Sequence, residues 1–401
     1  MSEHVFSTVR GVQDALRNTD LEQSMYKAGA IIMDDVLLTL HGAEHHKRRT
    51  AAFKVFGRGY FRFYEREVFP ATLSRTLAPF LARGSADLID CGYRVTLNLT
   101  ADFAGIDRPE QSPAETEALL YCVKRFSEAA TVFHSTRDHA EVIRDATAAL
   151  AEFDTRFFSP SRLRREEALA RFAAGTLTEE ELPRDVLTVL LRSYDELGLT
   201  PEILRREIAF YMQAGAHSTA NSTVHAMHHI LDWCDAHPGS REALLADRLL
   251  LQRFVHESLR LHPASPVARR SAGCPTRIGA QLEVAAGDDV IADIHSANRE
   301  TAVFGEDAAV FNPYRTIPPG VWPFGLTFGF GMHACMGRDL DGGVVPRADT
   351  RADDHQYGIV MLFVESLLRH GARRDPAHPP IPDASTARPN WGRYPVLLDP
   401  C

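Results

Sequence analysis

The stretch LTPEILRREIAFYMQAGAHSTANSTVHAMHHILDWCDAHPG, residues 199–239, limits the choice of fold more than any other. Thr200 is a good helix N-cap, Pro201 suits the first helical position, and Glu202 sits favourably in the first turn. No breaker follows until Pro238-Gly239. Roughly 36 residues at ~1.5 Å each make a helix of ~54 Å, enough to cross a whole domain. DRLLLQRFVHESLRLH predicts a second helix ending at Pro263. Only then does the pattern change, to short strands in RIGAQLEV and DVIADI. Helical pattern returns in ESLLRHGAR. The expected fold is mainly α with a minor β portion, in a single domain spanning 1–401 without repeats or low-complexity linkers.

Composition agrees with a large globular core: 401 residues, 45% hydrophobic and 24% charged. No apolar run reaches the ~20 residues of a membrane helix. The start MSEHVFSTVRGVQ lacks a signal-peptide pattern. A soluble, cytoplasmic protein is expected, with no membrane partner. A net charge of −9 and the lack of a basic tract argue against nucleic-acid binding. The cysteines (Cys91, Cys122, Cys234, Cys274, Cys335, Cys401) are scattered and fit no disulfide framework; Cys401 reads as a free thiol.

Cys335 stands apart, in the loop FGFGMHACMG (328–337). No second cysteine makes a redox pair, and no short-spaced ligands make a zinc site. A lone thiolate serves as a nucleophile or as an axial ligand to haem iron. His333 could assist a nucleophile, but no elbow or helix start frames the cysteine. Haem ligation suits the loop better. Gly331 and Gly337 let the backbone turn close to a macrocycle, N–H groups after the cysteine can bond the sulfur, and Phe328 would shield it.

Phe328, Gly329, Gly331, His333, Cys335 and Gly337 together resemble the cysteine-ligand loop of the cytochromes P450. Further motifs follow in that family's order. Glu257 and Arg260 match its E-x-x-R, which the resemblance completes with Arg315 of FNPYR to pin the loop-bearing segment behind the haem. ANRE (297–300) lies between them. His45 and Arg49, four apart on one helical face, match its H-x-x-x-R. With Arg269 and His333 they are the implied donors to the haem propionates. His46, Lys47 and Arg48 are expected to face solvent. VFSTVRGVQDAL looks like the strand and helix that precede the substrate-binding loop.

Three departures stand out. In the long helix, AGAHST keeps Ala214 and Gly215, but His217 replaces the family's acid and Ser218 its threonine, with Thr219 next. His217, Ser218 and Thr219 are the candidate catalytic residues above the iron. Serine can act as the alcohol; His217 either passes protons, turns away into a polar pocket, or binds substrate. After the cysteine, Gly342, Gly343 and Pro346 break the usual helix, predicting an insertion at about 339–355 and a restart near His355. Arg338, Arg347 and Arg351 there could meet an acidic ferredoxin, but neighbouring aspartates favour a solvated loop. The family's A helix and first strands are expected to be missing.

The resemblance implies a haem b monooxygenase that inserts one oxygen atom from O2 into a small or medium apolar substrate. Electrons would come from a ferredoxin and an NAD(P)H-dependent ferredoxin reductase. Substrate contacts are expected from about Leu21–Leu40, Tyr211, Ala214 and Pro266–Val267. The altered AGAHST keeps open a peroxygenase or a haem isomerase or dehydratase, and a haem sensor without catalysis is the rival from another class. His225, His228 and His229 read as structural or solvated rather than as a metal site.

Overall fold

The computed structural model describes residues 2–279 and 282–399; Cys401 lies outside them. The long helix spans Pro201–Ala236 and begins as its cap residues require, with Ile203 N donating to Thr200 Oγ1 at 3.2 Å. It stops just before Pro238, the limit set by the sequence. Helices Leu88–Ala104, Pro113–Ala130, Arg248–Leu261 and Ile359–Arg369 pack around it and build the main core.

Small residues set how closely Leu88–Ala104 approaches the long helix. A Cβ on Gly92 would lie 3.5 Å from that of Ala220, and one on Gly215 only 2.7 Å from Thr100 Oγ1. Thr96 Oγ1 also donates to the Ala216 carbonyl at 2.9 Å. The crossing therefore fixes the middle turns of the long helix, where the distal candidates sit.

The β portion is minor, as expected. Glu3–Phe6 runs parallel to Asp289–Asp293, which pairs antiparallel with Val267–Ala272, itself antiparallel to Leu21–Gln23. Helix Val9–Arg17 follows the first strand, as VFSTVRGVQDAL suggests. Thr276–Ile278 and Leu282–Val284 pair as a small hairpin. A three-stranded sheet joins Ser85–Asp87, Pro395–Leu397 and Arg373–Arg374.

The helix after the cysteine breaks where Gly342-Gly343 predicts, but it restarts later than expected. Arg338–Asp341 is one short helix, a single 3-10 turn follows at Ala352–Asp354, and the next α-helix begins at Ile359 rather than near His355. Glu65 explains the delay. Its carboxylate accepts from Tyr357 N at 2.8 Å and Gly358 N at 3.0 Å, holding this backbone straight until Gly358, φ 86°, turns it into the helix. Gly343 and Gly358 close the intervening loop like a neck: a Cβ on either would come within 2.3 Å of the other strand's backbone.

Candidate active site

The cysteine loop is a tight hairpin. Cys335 N donates to the Phe328 carbonyl at 2.8 Å, and Gly329 N to that of Leu326 at 2.8 Å. Gly329 and Gly331 have φ of 67° and 69°. Gly331 has a second constraint, because a Cβ there would collide with the Leu16 carbonyl at the end of helix Val9–Arg17. The loop is thus seated on an early helix as well as on its own turn.

Cys335 lies deep among protein atoms, yet its surface is accessible, so the thiol faces internal space. Burial, with the Asp341 carboxylate adding to it, pushes the thiol up to about 11; the Gly337 N–H and the cations of Arg49 and Arg338 oppose this. Phe328 packs edge-on to Phe324, ring centroids 5.0 Å apart, and a Cβ on Gly342 would touch it at 3.0 Å.

Behind the loop the buried ion pair is complete. Arg260 is fully buried and grips Glu257 with two hydrogen bonds, 2.8 Å from Nε and 2.7 Å from Nη2. Arg315 reaches the same carboxylate at 3.4 Å, and Asn312 N donates to it at 3.0 Å. Asn298 of ANRE couples this centre to the loop: its amide donates to the Arg260 carbonyl at 2.9 Å, and its Oδ1 accepts from Leu326 N at 2.7 Å. Bidentate geometry and satisfied lone pairs are what a buried ion pair needs to hold a segment in place.

The propionate candidates come together only in part. His45 is buried, its ring 4.8 Å from that of His333, and its Nε2 has no hydrogen-bond partner among the described residues. Burial, with Arg49 next, lowers His45 to about 4. Arg49 donates to the Ala334 carbonyl at 2.7 Å, one residue from the thiol. His333 donates its Nε2 proton to the Leu40 carbonyl at 3.0 Å. Arg269 instead lies over Phe133, 4.5 Å from the ring centroid, with Glu3 at 3.7 Å and its Nε without a partner among the described residues. The cation whose field reaches His41 and His333 is Arg270, on the opposite face of the strand. Arg48 corrects another expectation: it is buried, not solvent-facing, and pairs with the buried Glu207 at 3.1 Å. Alternation along the strand, and an acid at Glu207 directly before the apolar run IAFYM, were the signals that could have found both.

On the long helix, Ser218 Oγ donates to the Ala214 carbonyl at 2.7 Å. Gly215 turns toward Thr100, so its lack of a side chain serves the helix crossing. Thr219 reaches Asp341, not the turn above. His217 is held on both sides: Arg388 Nη1 lies 3.3 Å from Nε2, and Tyr93 Oη 2.5 Å from Nδ1. Burial, then the Arg388 charge, lowers it to about 3. The guanidinium only donates, so Nε2 accepts and Nδ1 carries the proton toward Tyr93. Of the three readings of His217, the geometry fits the one in which it turns into a polar pocket. Nothing local in AGAHST announces Tyr93 or Arg388, which lie 124 and 171 residues away.

The donor set fits an iron porphyrin: one accessible thiol with an N–H and a cation beside it, and unpartnered buried nitrogens on His45 and Arg269 to meet carboxylates. Comparison with known proteins agrees. The family model for cytochrome P450 matches residues 167–340. Pulcherriminic acid synthase of Bacillus subtilis (strain 168) is 23% identical over 354 residues, 84% of this chain and 78% of that protein. Cytochrome P450 family protein EryCII of Saccharopolyspora erythraea is 39% identical, but over 93 residues, a quarter of its length. The crystal structure of CalO2 superposes with a TM-score of 0.74 at 20% identity, covering 99% of this chain and 90% of that one. The P450 fold is therefore present over 99% of the chain, and residues 167–340 match the cytochrome P450 family, a similarity that implies a haem cofactor.

Proposed function

We propose that the chain is a haem-thiolate monooxygenase that holds haem b through Cys335 in a single domain. It would insert one oxygen atom from O2 into a small or medium apolar substrate, with electrons from a ferredoxin and an NAD(P)H-dependent ferredoxin reductase. The observation that carries this reading is Cys335 itself, deep yet accessible, with the Gly337 N–H and Arg49 favouring its thiolate.

When bound, haem supplies the iron at which oxygen is activated, with the thiolate pushing electron density toward it. The chain's own groups do the rest. The Glu257–Arg260–Arg315 centre and Asn298 fix the loop that presents the sulfur. Arg49, His45, Arg269 and His333 are the groups assigned to the propionates, and Arg270 is added to them by its field at His333. Ser218 keeps its hydroxyl proton on the Ala214 carbonyl and leaves lone pairs free to accept at the distal turn. The segment Leu21–Leu40, Tyr211 and Pro266–Val267 would bound the substrate. Among the described residues no helix is long and apolar enough to cross a membrane.

The test is the CO complex of the reduced protein. The red-shifted Soret band of a thiolate-ligated haem should be present, and Cys335→Ala should abolish it. A second reading, a peroxygenase or a haem isomerase or dehydratase, is favoured by His217, whose ring nitrogens are both engaged. Product formed with hydrogen peroxide but none with reductant and O2 would select it.

A further inference from the structure

Ser218, Ser222, His225 and His229 follow one another along the long helix at intervals of four, three and four residues, and therefore share one face. His262, just past helix Arg248–Leu261, packs on this stripe. Its ring stacks on that of His225, centroids 4.1 Å apart and 6° from parallel. Its Nε2 lies 2.8 Å from Nε2 of His229.

That distance identifies the interaction. A tetrahedral metal with bonds of about 2.0–2.1 Å would hold two nitrogens about 3.3 Å apart. Two ring nitrogens at 2.8 Å share a proton instead. Burial keeps both rings neutral in the resting protein, with neighbouring imidazoles and Arg299 adding to it.

The stripe has an outer and an inner end. Outside, half-buried His229 sits beside His228, which reaches the exposed Asp232 at 3.4 Å. Inside, a cavity of about 20 Å³ is lined by Ser222, His225, His262, Arg388 and Asn390, enough for one water molecule. His262 Nδ1 has no partner among the described residues. Ser218 lies one turn further on. His217, in contrast, accepts from an arginine that cannot give up its proton, which closes the route through that side chain.

We propose that His229, His262 and Ser222 form the proton entrance to the Ser218 turn, in place of a relay through residue 217; this rests on the oxygenase reading above. A proton enters at His229 Nδ1, and the shared proton passes from His229 Nε2 to His262 Nε2. The Nδ1 proton of His262 then leaves to water in the cavity, between His262 and Ser222. One proton goes in and one comes out, each ring ends as its other tautomer, and ring reorientation resets the path. No electron moves.

The test compares two drives in the holoenzyme, with styrene as the apolar probe. With NADPH, a plant-type ferredoxin and its reductase, His262→Phe and His229→Phe should each lower epoxide formation at least tenfold and divert reductant to released peroxide. Supplied hydrogen peroxide brings its own protons, so the peroxide-driven rate should stay within about twofold, and the CO band should not change. Independently of turnover, ¹⁵N-histidine NMR should show one strongly downfield imidazole proton that His229→Phe removes. Either variant with wild-type coupling of reductant to product, or no such shared proton, overturns the relay. A wild type that epoxidises styrene with neither drive counts against the oxygenase reading, and the relay resting on it falls as well. His229, only half-buried, provides a variant that folds if His262→Phe does not.

Discussion

Thr219 Oγ1 donates to Asp341 Oδ1 across 2.6 Å, tying the long helix to the short helix that follows the cysteine loop. Burial raises Asp341 to about 6, with the Thr219 hydrogen bond opposing, and its charge in turn raises Cys335. The two elements that would face each other across a bound cofactor are thus joined at one edge.

Removing that charge should free the thiolate. In the cofactor-free protein, Asp341→Asn keeps an acceptor for Thr219 and should speed alkylation of Cys335 several-fold at pH 8, since rate follows thiolate fraction. The rate is read against Cys335→Ala as background. An unchanged rate would show that Asp341 does not act on the sulfur.

Gly215 should tolerate no side chain. A Cβ there meets Thr100 Oγ1 at 2.7 Å, so Gly215→Ala should lower stability by about 1–3 kcal/mol, the usual range for overpacking. Adding Thr100→Ala should restore much of the loss in urea unfolding. If the double variant is no better than the single one, the helix crossing is not what excludes the methyl group.

Glu257→Ala would leave Arg260 and Arg315 buried without their carboxylate. Breaking such a pair costs about 3–5 kcal/mol, so the midpoint of unfolding should fall sharply. Haem content after purification should fall with it, because the same centre positions Leu326 through Asn298.

Acid should destabilise the cofactor-free protein well above the range in which ordinary carboxylates titrate. Burial lowers His45, His225 and His256 to about 4, and His217 and His333 to about 3. Their folded values lie below the unfolded one, near 6.5, so the unfolded chain takes up protons first and stability is lost as pH falls from about 6.5 toward 4. Glu207, raised to about 7, and Asp341, raised to about 6, act in the opposite sense, gaining stability as pH falls through those values. Five groups outweigh two, and each unmatched proton is worth about 1.4 kcal/mol per pH unit. Urea midpoints should therefore drop between pH 6.5 and 5; a flat profile would show these imidazoles to be solvated.

What the sequence made legible were features written locally. Caps and breakers set the ends of Pro201–Ala236, and a fixed spacing picked out the Glu257–Arg260 pair. What it hid were pairings between distant segments. Spacing chose Arg269, while the strand's alternation brings Arg270 to His333. Arg48 reads as a surface charge until Glu207 is seen beside it. The helix restart moved to Ile359 because Glu65 captures two backbone N–H groups nearly 300 positions away. His217 was ambiguous for the same reason: its ring nitrogens meet Tyr93 and Arg388, not its neighbours in the chain.

The neck at Gly343 and Gly358 separates two kinds of tolerance to change. The segment it encloses begins and ends at nearly the same point in space, so its length is uncoupled from the distance between the cysteine loop and the helix Ile359–Arg369. Residues 347–354, mostly exposed, can be exchanged, lengthened or used to carry an affinity tag without shifting the sulfur. A single methyl group at either glycine would force the two backbones apart and transmit that movement to both elements at once.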